Sequence, residues 1–304
     1  MLESDKIWID GQLVDYKDAK IHVLTHGLHY GTGIFEGIRS YSTENGHAIF
    51  RLNDHIKRLY NSGKAYFMQF DFKPGELRNA TIDVVKANNL GDCYIRIIAF
   101  YGYGKLGVNP LPNKVSIAIT AWKWTEHIRK EDLEQGIHLM VSSWEKVGSR
   151  SLPTHAKGVA NYANSALARM EALKSGYDEA IMLNSNGYVV EASAENIFLV
   201  KKGTLYTPPL SSGALEGITR DTVINIAEKN AIKVIFENIS RDELYYFDEV
   251  FLTGTASEIV PVGYIDHRKI GSGGIGHVTS LVREHFANIV SGKEKSDQEW
   301  LTYL

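Results

Sequence analysis

The chain has 304 residues, 44% hydrophobic and 23% charged, with a net charge of −3. That length can bury the core of one large domain or two modest ones, and the balance excludes both a basic nucleic-acid face and a polybasic membrane patch. No apolar run is long enough to span a bilayer, the opening residues Met1 to Lys6 are unlike a signal peptide, and the single Cys93 fits a reducing, cytoplasmic setting.

In chain order, strands are expected at 6–11 and 12–14, joined by the hairpin signal Asp10-Gly11. A helix follows from Asn53 to about Phe67, with Leu52, Ile56, Leu59 and Tyr60 on one stripe and Asn53 as its cap. A second helix runs from Pro74 to Asn88, and strands cover Cys93 to Tyr101 and Lys114 to Trp122. The polar stretch Trp124 to Glu134 marks a boundary, so the expected divisions are 1–124, a loop at 125–134, and 135–304. Beyond it come a strand from Gly136 to Ser142 and a helix at about 161–175. Strand pairs follow around Asn186-Gly187 and Lys202-Gly203, then a helix at about 219–230. Strands at 233–238 and 249–253 and a last helix at about 277–291 complete the pattern. Strands and helices interleave irregularly with many hairpin turns, which implies an α+β fold in two domains.

Two Gly-x-Gly-x-x-Gly matches do not carry a dinucleotide site. The first, Gly102 to Gly107, runs into Pro110 and Pro112, which forbid the helix that would hold a pyrophosphate. The second, Gly271 to Gly276, follows a short polar strand and has no later acid for a ribose. His22, His26 and His29 have helical spacing, but Gly27, Gly31 and Gly33 break a helix there and no thiolate joins them, so no metal site is expected.

Lys157 differs from the other lysines. From Lys146 to Met170 there is no Asp or Glu, while Lys146, Arg150 and Arg169 are basic. Nearby cations and burial lower an amine's pKa, as a Schiff-base lysine requires. The alternative is an ordinary loop lysine. Gly217-Ile218-Thr219 leads into a helix whose free N–H groups suit a phosphate, and Gly254-Thr255-Ala256 follows a strand with further amides. An N-cap at Thr219 and a plain turn at 254–257 are the alternatives. Glu191, flanked by Val190 and Ala192 on a strand, is either solvent-facing or paired with a cation, of which a protonated pyridine nitrogen is one.

In combination these segments resemble a known family. They include His29-Tyr30-Gly31-Thr32-Gly33-Ile34-Phe35-Glu36-Gly37-Ile38-Arg39, Tyr94-Ile95-Arg96, Gly107-Val108-Asn109-Pro110 and Ala156-Lys157-Gly158 with Asn161-Tyr162. Glu191 to Asn196, Gly217-Ile218-Thr219-Arg220 and Gly254-Thr255-Ala256 complete the set. The whole chain resembles the branched-chain amino acid aminotransferases, fold-type IV enzymes that use pyridoxal 5'-phosphate (PLP). The resemblance implies a D-amino acid aminotransferase-like, two-domain α+β fold. Its small N-terminal α/β domain is followed by a larger C-terminal PLP-binding domain with a strand-rich core. It implies that Lys157 is the catalytic Schiff-base lysine and that Glu191 pairs with the pyridine nitrogen. Tyr162 bonds the phenolic oxygen, Leu215 packs on the ring, and Arg58, Gly217, Ile218, Thr219, Gly254 and Thr255 hold the cofactor's phosphate end. Thr255 and Ala256 receive the substrate carboxylate. Phe35, Tyr94, Tyr162, Tyr30 and Val108 shape the side-chain pocket, the last two from a neighbouring subunit of a homodimer or homohexamer. Arg39 and Arg96 are candidates for the second carboxylate of glutamate or 2-oxoglutarate.

The implied reaction is ping-pong transfer of the amino group of Leu, Ile or Val to 2-oxoglutarate. It is the last step in making these amino acids or the first in degrading them. His127 stands where bacterial branched-chain enzymes carry Tyr, which bears on selectivity among substrates. Rivals within the fold are D-amino acid aminotransferase, aminodeoxychorismate lyase and (R)-amine transaminase. A non-catalytic binding protein and a nicotinamide oxidoreductase are the rivals outside it.

Overall fold

The computed structural model describes residues 4–124 and 135–304. His127 lies outside them. The chain forms two compact units. One comprises Met1–Thr125, Ala156–Ala160 and Ile289–Leu304, and the other Glu126–His155 and Asn161–Asn288.

The first unit is built on an antiparallel sheet. Its strands are β1 (Lys6–Ile9), β2 (Gln12–Asp15), β3 (Gly33–Thr43), β4 (Gly46–Phe50), β5 (Cys93–Tyr101), β6 (Val115–Lys123) and β16 (Leu301–Tyr303), side by side in the order β16-β4-β3-β5-β6-β1-β2. Three helices accompany it: α1 (His26–Tyr30), α2 (Leu52–Ala65) and α3 (Pro74–Ala87). Side chains alternate between the faces of a strand, so β3, β5 and β6 present two contrasting surfaces. Ile34, Ile38, Ile95, Ile97, Ile117 and Ile119 form one core with Leu52, Ile56 and Leu59 of α2 and Leu77 and Val84 of α3. The opposite face follows from the register Gly37↔Arg96↔Thr120 and Arg39↔Tyr94↔Trp122, and with Phe35 it is aromatic and cationic. The expected helix boundary shifts at α2. Its N-cap is Arg51 in left-handed backbone, φ 50°, and Asn53 lies exposed in the first turn, accepting from Arg78 Nε at 3.1 Å.

The second unit carries a mixed sheet. Its strands are β7 (Ile137–Val141), β8 (Glu179–Leu183), β9 (Val189–Ala192), β10 (Asn196–Lys201), β11 (Thr204–Thr207), β12 (Val234–Phe236), β13 (Glu249–Gly254), β14 (Glu258–Ile265) and β15 (Arg268–Lys269). They run in the order β12-β11-β10-β13-β14-β7-β8-β9, with β15 on β14. The pairs β11/β12, β14/β7 and β7/β8 are parallel. Helices α4 (Val159–Lys174), α5 (Ile218–Lys229) and α6 (His277–Val290) follow the expected positions closely. Leu139, Ile181, Ile197, Leu199, Leu252 and Val262 make the main core, and Phe198 and Phe251 stack at 5.2 Å. Two elements place the chemistry. β9 ends just after Glu191, and Gly217 is the N-cap of α5.

Candidate active site

In the first unit the candidate reactive group is Lys157. Its backbone is fixed by two contacts: its N–H donates to Ser62 Oγ on α2 at 3.0 Å, and its carbonyl accepts from the Phe35 N–H on β3 at 3.0 Å. The ammonium lies 5.0 Å from the centre of the Phe35 ring. Burial, with the charges of Arg58 and Arg96 added, pulls the Lys157 amine down from 10.5 to about 8, although Glu36 and Tyr94 act against it. The expected cause is thus corrected in its source. The cations that act on Lys157 come from α2 and β5, not from its neighbours in sequence, and an acid does stand near it in space.

That acid, Glu36, is fully buried on β3. It accepts from Arg58 Nε at 2.7 Å, Arg58 Nη2 at 2.8 Å and His55 Nδ1 at 2.7 Å. Burial alone would push the carboxyl up. Arg58's charge and the hydrogen bonds from Arg58 and His55 overcome it and hold Glu36 at about 2. His55 is pushed down, chiefly by burial, so it donates as a neutral ring. Arg58, whose side chain is 10% exposed, therefore has a fixed fork geometry, as bidentate arginine–carboxylate pairs do.

The aromatic face of the sheet brings Phe35, Arg39, Tyr94 and Arg96 together. Arg96 lies 4.7 Å from the Phe35 ring centre, and its Nη2 donates to the Tyr94 hydroxyl at 3.2 Å. Tyr94 stacks on Trp124 at 5.1 Å and tilts against Trp122 at 5.0 Å, while Arg39 lies 5.2 Å from Trp124. Gly37 makes this possible: any Cβ there would overlap the Tyr94 hydroxyl. Tyr30 and Val108 are exposed, at 43% and 86%. The ring of Tyr30 meets His26 and His29. His26 lies in the short helix α1 despite Gly27. It is buried, with Nδ1 at 2.8 Å from Thr32 Oγ1 and Nε2 at 2.7 Å from the Gly107 carbonyl, so it ties down the loop that carries Val108. Among the described residues no group of three or more His, Cys, Asp or Glu is arranged to hold a metal ion.

In the second unit the charged centre is Glu191, buried at the end of β9. Lys146 Nζ is 2.7 Å from its Oε1. Its Oε2 accepts from Asn196 Nδ2 at 2.9 Å and from the Leu215 N–H at 3.0 Å. Asn196 also donates to the Leu215 carbonyl at 2.9 Å, which clamps the segment entering α5. Glu195, four residues on, differs: burial pushes its carboxyl up to about 8, with Glu179 adding repulsion. Glu191 instead has a cation, Lys146, on one oxygen. Ile218 and Thr219 are buried in the first turn of α5, where backbone N–H groups lack helical partners. Gly254, Thr255 and Ala256 follow at the end of β13, and Thr255 is half-buried. Tyr162, half-buried, lies in the first turn of α4. Glu36, His55, Lys146 and Asn196 are contributors without an expected role. Glu36 and Asn196 stood inside the quoted motifs, and Lys146 in the acid-free run, but only their burial and partners reveal what they do.

The first unit thus holds a buried lysine with a lowered amine, and the second an anchored acid and a helix N-terminus capped by Gly217. The Amino-transferase class IV model matches residues 33–265, and the chain belongs to that family. Within it the relatives are branched-chain enzymes. A branched-chain-amino-acid aminotransferase of Pseudomonas aeruginosa is 44% identical over 98% of this chain and 97% of its own. A branched-chain amino acid aminotransferase of T.th. with pyridoxamine 5'-phosphate superposes at TM-score 0.97 with 46% identity, covering 100% of this chain and 99% of that one. The same enzyme complexed with N-(5'-phosphopyridoxyl)-L-glutamate superposes at 0.96 with 45% identity and the same coverage.

Proposed function

We propose that the protein is a PLP-dependent transaminase that moves the amino group of L-leucine, L-isoleucine or L-valine to 2-oxoglutarate. The observation that carries this reading is Lys157, an amine lowered to about 8 by burial and two arginines, in a chain of the class IV family. The side chains present fit PLP. An ionised carboxylate has about four acceptor sites, and three donors reach Glu191, from Lys146, Asn196 and Leu215. One site remains for a protonated ring nitrogen.

Bound PLP supplies an electrophilic aldehyde carbon and an electron-accepting ring. The residues of the chain do the rest. Lys157 Nζ is the nucleophile that holds the cofactor and, once displaced by substrate, the base that takes the α-proton and returns it. An amine near 8 is close enough to neutrality to work both ways. Glu191 keeps a proton on the ring nitrogen, Tyr162 donates to the phenolic oxygen, and Leu215 packs on the ring. Arg58, Gly217, Ile218, Thr219, Gly254 and Thr255 bind the phosphate. The Thr255 and Ala256 amides take the α-carboxylate. Phe35 and Tyr94 bound an apolar hollow for a branched side chain, and Arg39 or Arg96 at its edge pairs the second carboxylate of glutamate, so the buried charge is matched only when that substrate binds.

Two further assignments belong to this reading. The enzyme works in the cytoplasm, consistent with a lone buried thiol, Cys93. It is a homodimer or homohexamer in which Tyr30 and Val108 complete a partner's side-chain pocket. The exposed Ile21, Val23 and Leu28 and the exposed Leu106, Val108 and Leu111 support this, since apolar side chains gathered in two short segments suit a covered surface. The division into a small N-terminal domain at 1–124, a loop at 125–134 and a PLP-binding domain at 135–304 accompanies it.

The test is steady-state kinetics with L-leucine and 2-oxoglutarate. Ping-pong rates are expected, and Lys157→Ala removes turnover while the melting temperature holds. Retained transamination in Lys157→Ala would overturn the assignment.

A further inference from the structure

Lys146 has no part in the reaction as described above, yet it is as carefully placed as any group that does. Its side chain and that of Glu191 are each 8% exposed, and the two meet at 2.7 Å. The backbone around it is held on both sides. The Lys146 N–H donates to the Leu183 carbonyl on β8 at 2.8 Å. The Val147 N–H donates to Asn164 Oδ1 at 3.0 Å, and Asn164 Nδ2 donates back to the Glu145 carbonyl at 3.0 Å. A long, flexible lysine is thereby delivered to one carboxylate oxygen. Removing two charges from water costs several kcal/mol per ion unless they are paired, so an ion pair this buried is a poor way to gain stability alone.

The arrangement of donors on Glu191 is uneven. Among the described residues, Oε2 takes two, from Asn196 Nδ2 and the Leu215 N–H, and Oε1 takes Lys146. The remaining acceptor site is on Oε1, the oxygen that carries the ammonium. Arg220, the other cation that feels Glu191, donates to the Pro208 carbonyl instead.

We propose that Lys146 is a positioning residue for transamination: its charge on Glu191 Oε1 stabilises the carboxylate as an anion and so places the single proton of the Glu191–ring nitrogen pair on the nitrogen. This rests on the assignment of Glu191 to that nitrogen. The proton has two homes. On the nitrogen it leaves a cation facing a carboxylate; on Oε1 the N–H bond is broken, an O–H bond is formed, and both partners are neutral. The ammonium touches Oε1 at 2.7 Å, and a ring nitrogen donating to the same oxygen would stand farther from the ammonium than that oxygen does. Attraction to the anion therefore exceeds repulsion of the protonated ring, because Coulomb energy falls with distance. Without Lys146 the neutral arrangement gains, as low-dielectric surroundings disfavour separated charges.

The experiment is nuclear magnetic resonance of the holoenzyme carrying PLP labelled with nitrogen-15 in the ring, at one pH. Wild type, Lys146→Arg, Lys146→Gln, Lys146→Met and Glu191→Gln are compared, with melting temperatures to confirm folding. Wild type and Lys146→Arg are expected at the resonance of a protonated ring nitrogen, and Lys146→Gln and Lys146→Met displaced toward that of a bare pyridine. Lys146→Gln keeps a hydrogen-bond donor without the charge, and it serves if Lys146→Met does not fold. A wild-type resonance in Lys146→Gln, or a displacement in Lys146→Arg as large as in Lys146→Gln, overturns the role of the charge. If only Glu191→Gln moves the resonance, the Glu191 assignment stands and the Lys146 proposal fails. If Glu191→Gln does not move it either, the Glu191 assignment fails and takes the proposal with it.

Discussion

Glu36 and Lys157 show how far a buried charge depends on what faces it. Glu36 in the folded chain is held at about 2, below the roughly 4.3 of an unfolded glutamate. The unfolded chain therefore binds the proton more readily. The carboxylate's stabilisation is complete above about 4.3 and is lost as pH falls through about 2. Glu36→Gln removes the charge and one of the two acceptor oxygens that face Arg58 and His55, and is expected to cost about 3–5 kcal/mol at pH 7. Urea unfolding of wild type and variant should show that gap closing toward about pH 2, and a constant gap would mean the pair does not titrate with folding. For Lys157 the shift runs the same way, but it disfavours the charged form. Its folded value, about 8, lies below 10.5, so the folded chain favours the neutral amine. Capture of PLP by the cofactor-free protein should quicken with pH and level off above about 8. A rate that climbs steadily to near 10.5 would contradict the burial described. The acid-free run made Lys157 a candidate in sequence, beside the alternative of an ordinary loop lysine. The groups that act on it were not legible there, since Arg58, Arg96 and Glu36 reach it only through sheet register and a helix face.

At the scale of elements, the long helices were legible because their apolar stripes have helical period, as in Leu52, Ile56 and Leu59, whereas the short α1, which contains Gly27, was not. Strands were harder. β3 mixes Gly, Glu and Arg with apolar residues because its two faces serve a core and a binding surface, so it lacks a simple alternation. β14 contains Pro261 and Gly263, which argue against an interior strand, yet it lies between β13 and β7. A register shift at Val262/Tyr264 accommodates the irregularity. The entry to β7 depends on the same place. Gly136 has φ 74°, and a Cβ there would overlap the backbone nitrogen of Gly263. Gly136→Ala is expected to destabilise the protein by about 2–3 kcal/mol, through strained backbone and forced separation of β7 from β14. A melting curve matching wild type would show that the two strands tolerate the added methyl.

For the whole molecule, the family was legible through several short segments scattered over the chain, and the fold explains why they are scattered. Lys157, Glu36, Arg58 and Arg96 belong to one compact unit, while Glu191, Thr219 and Thr255 belong to the other. The exposed apolar residues between Ile21 and Leu28 and at Leu106, Val108 and Leu111 belong to the same scale. Val108→Asp is expected to weaken self-association in light scattering and to raise KM for L-leucine, whereas a wild-type particle that is monomeric at micromolar concentration would remove the role given to Tyr30 and Val108.

The central claim is that this chain uses Lys157 to transaminate branched-chain L-amino acids. The most direct measurement is kcat/KM for L-leucine with 2-oxoglutarate, set against D-alanine and (R)-1-phenylethylamine as donors under the same conditions. With Phe35 and Tyr94 as the proposed site for the side chain, L-leucine is expected to be preferred by orders of magnitude. A protein inactive on L-leucine, or faster on D-alanine or the amine, would contradict it.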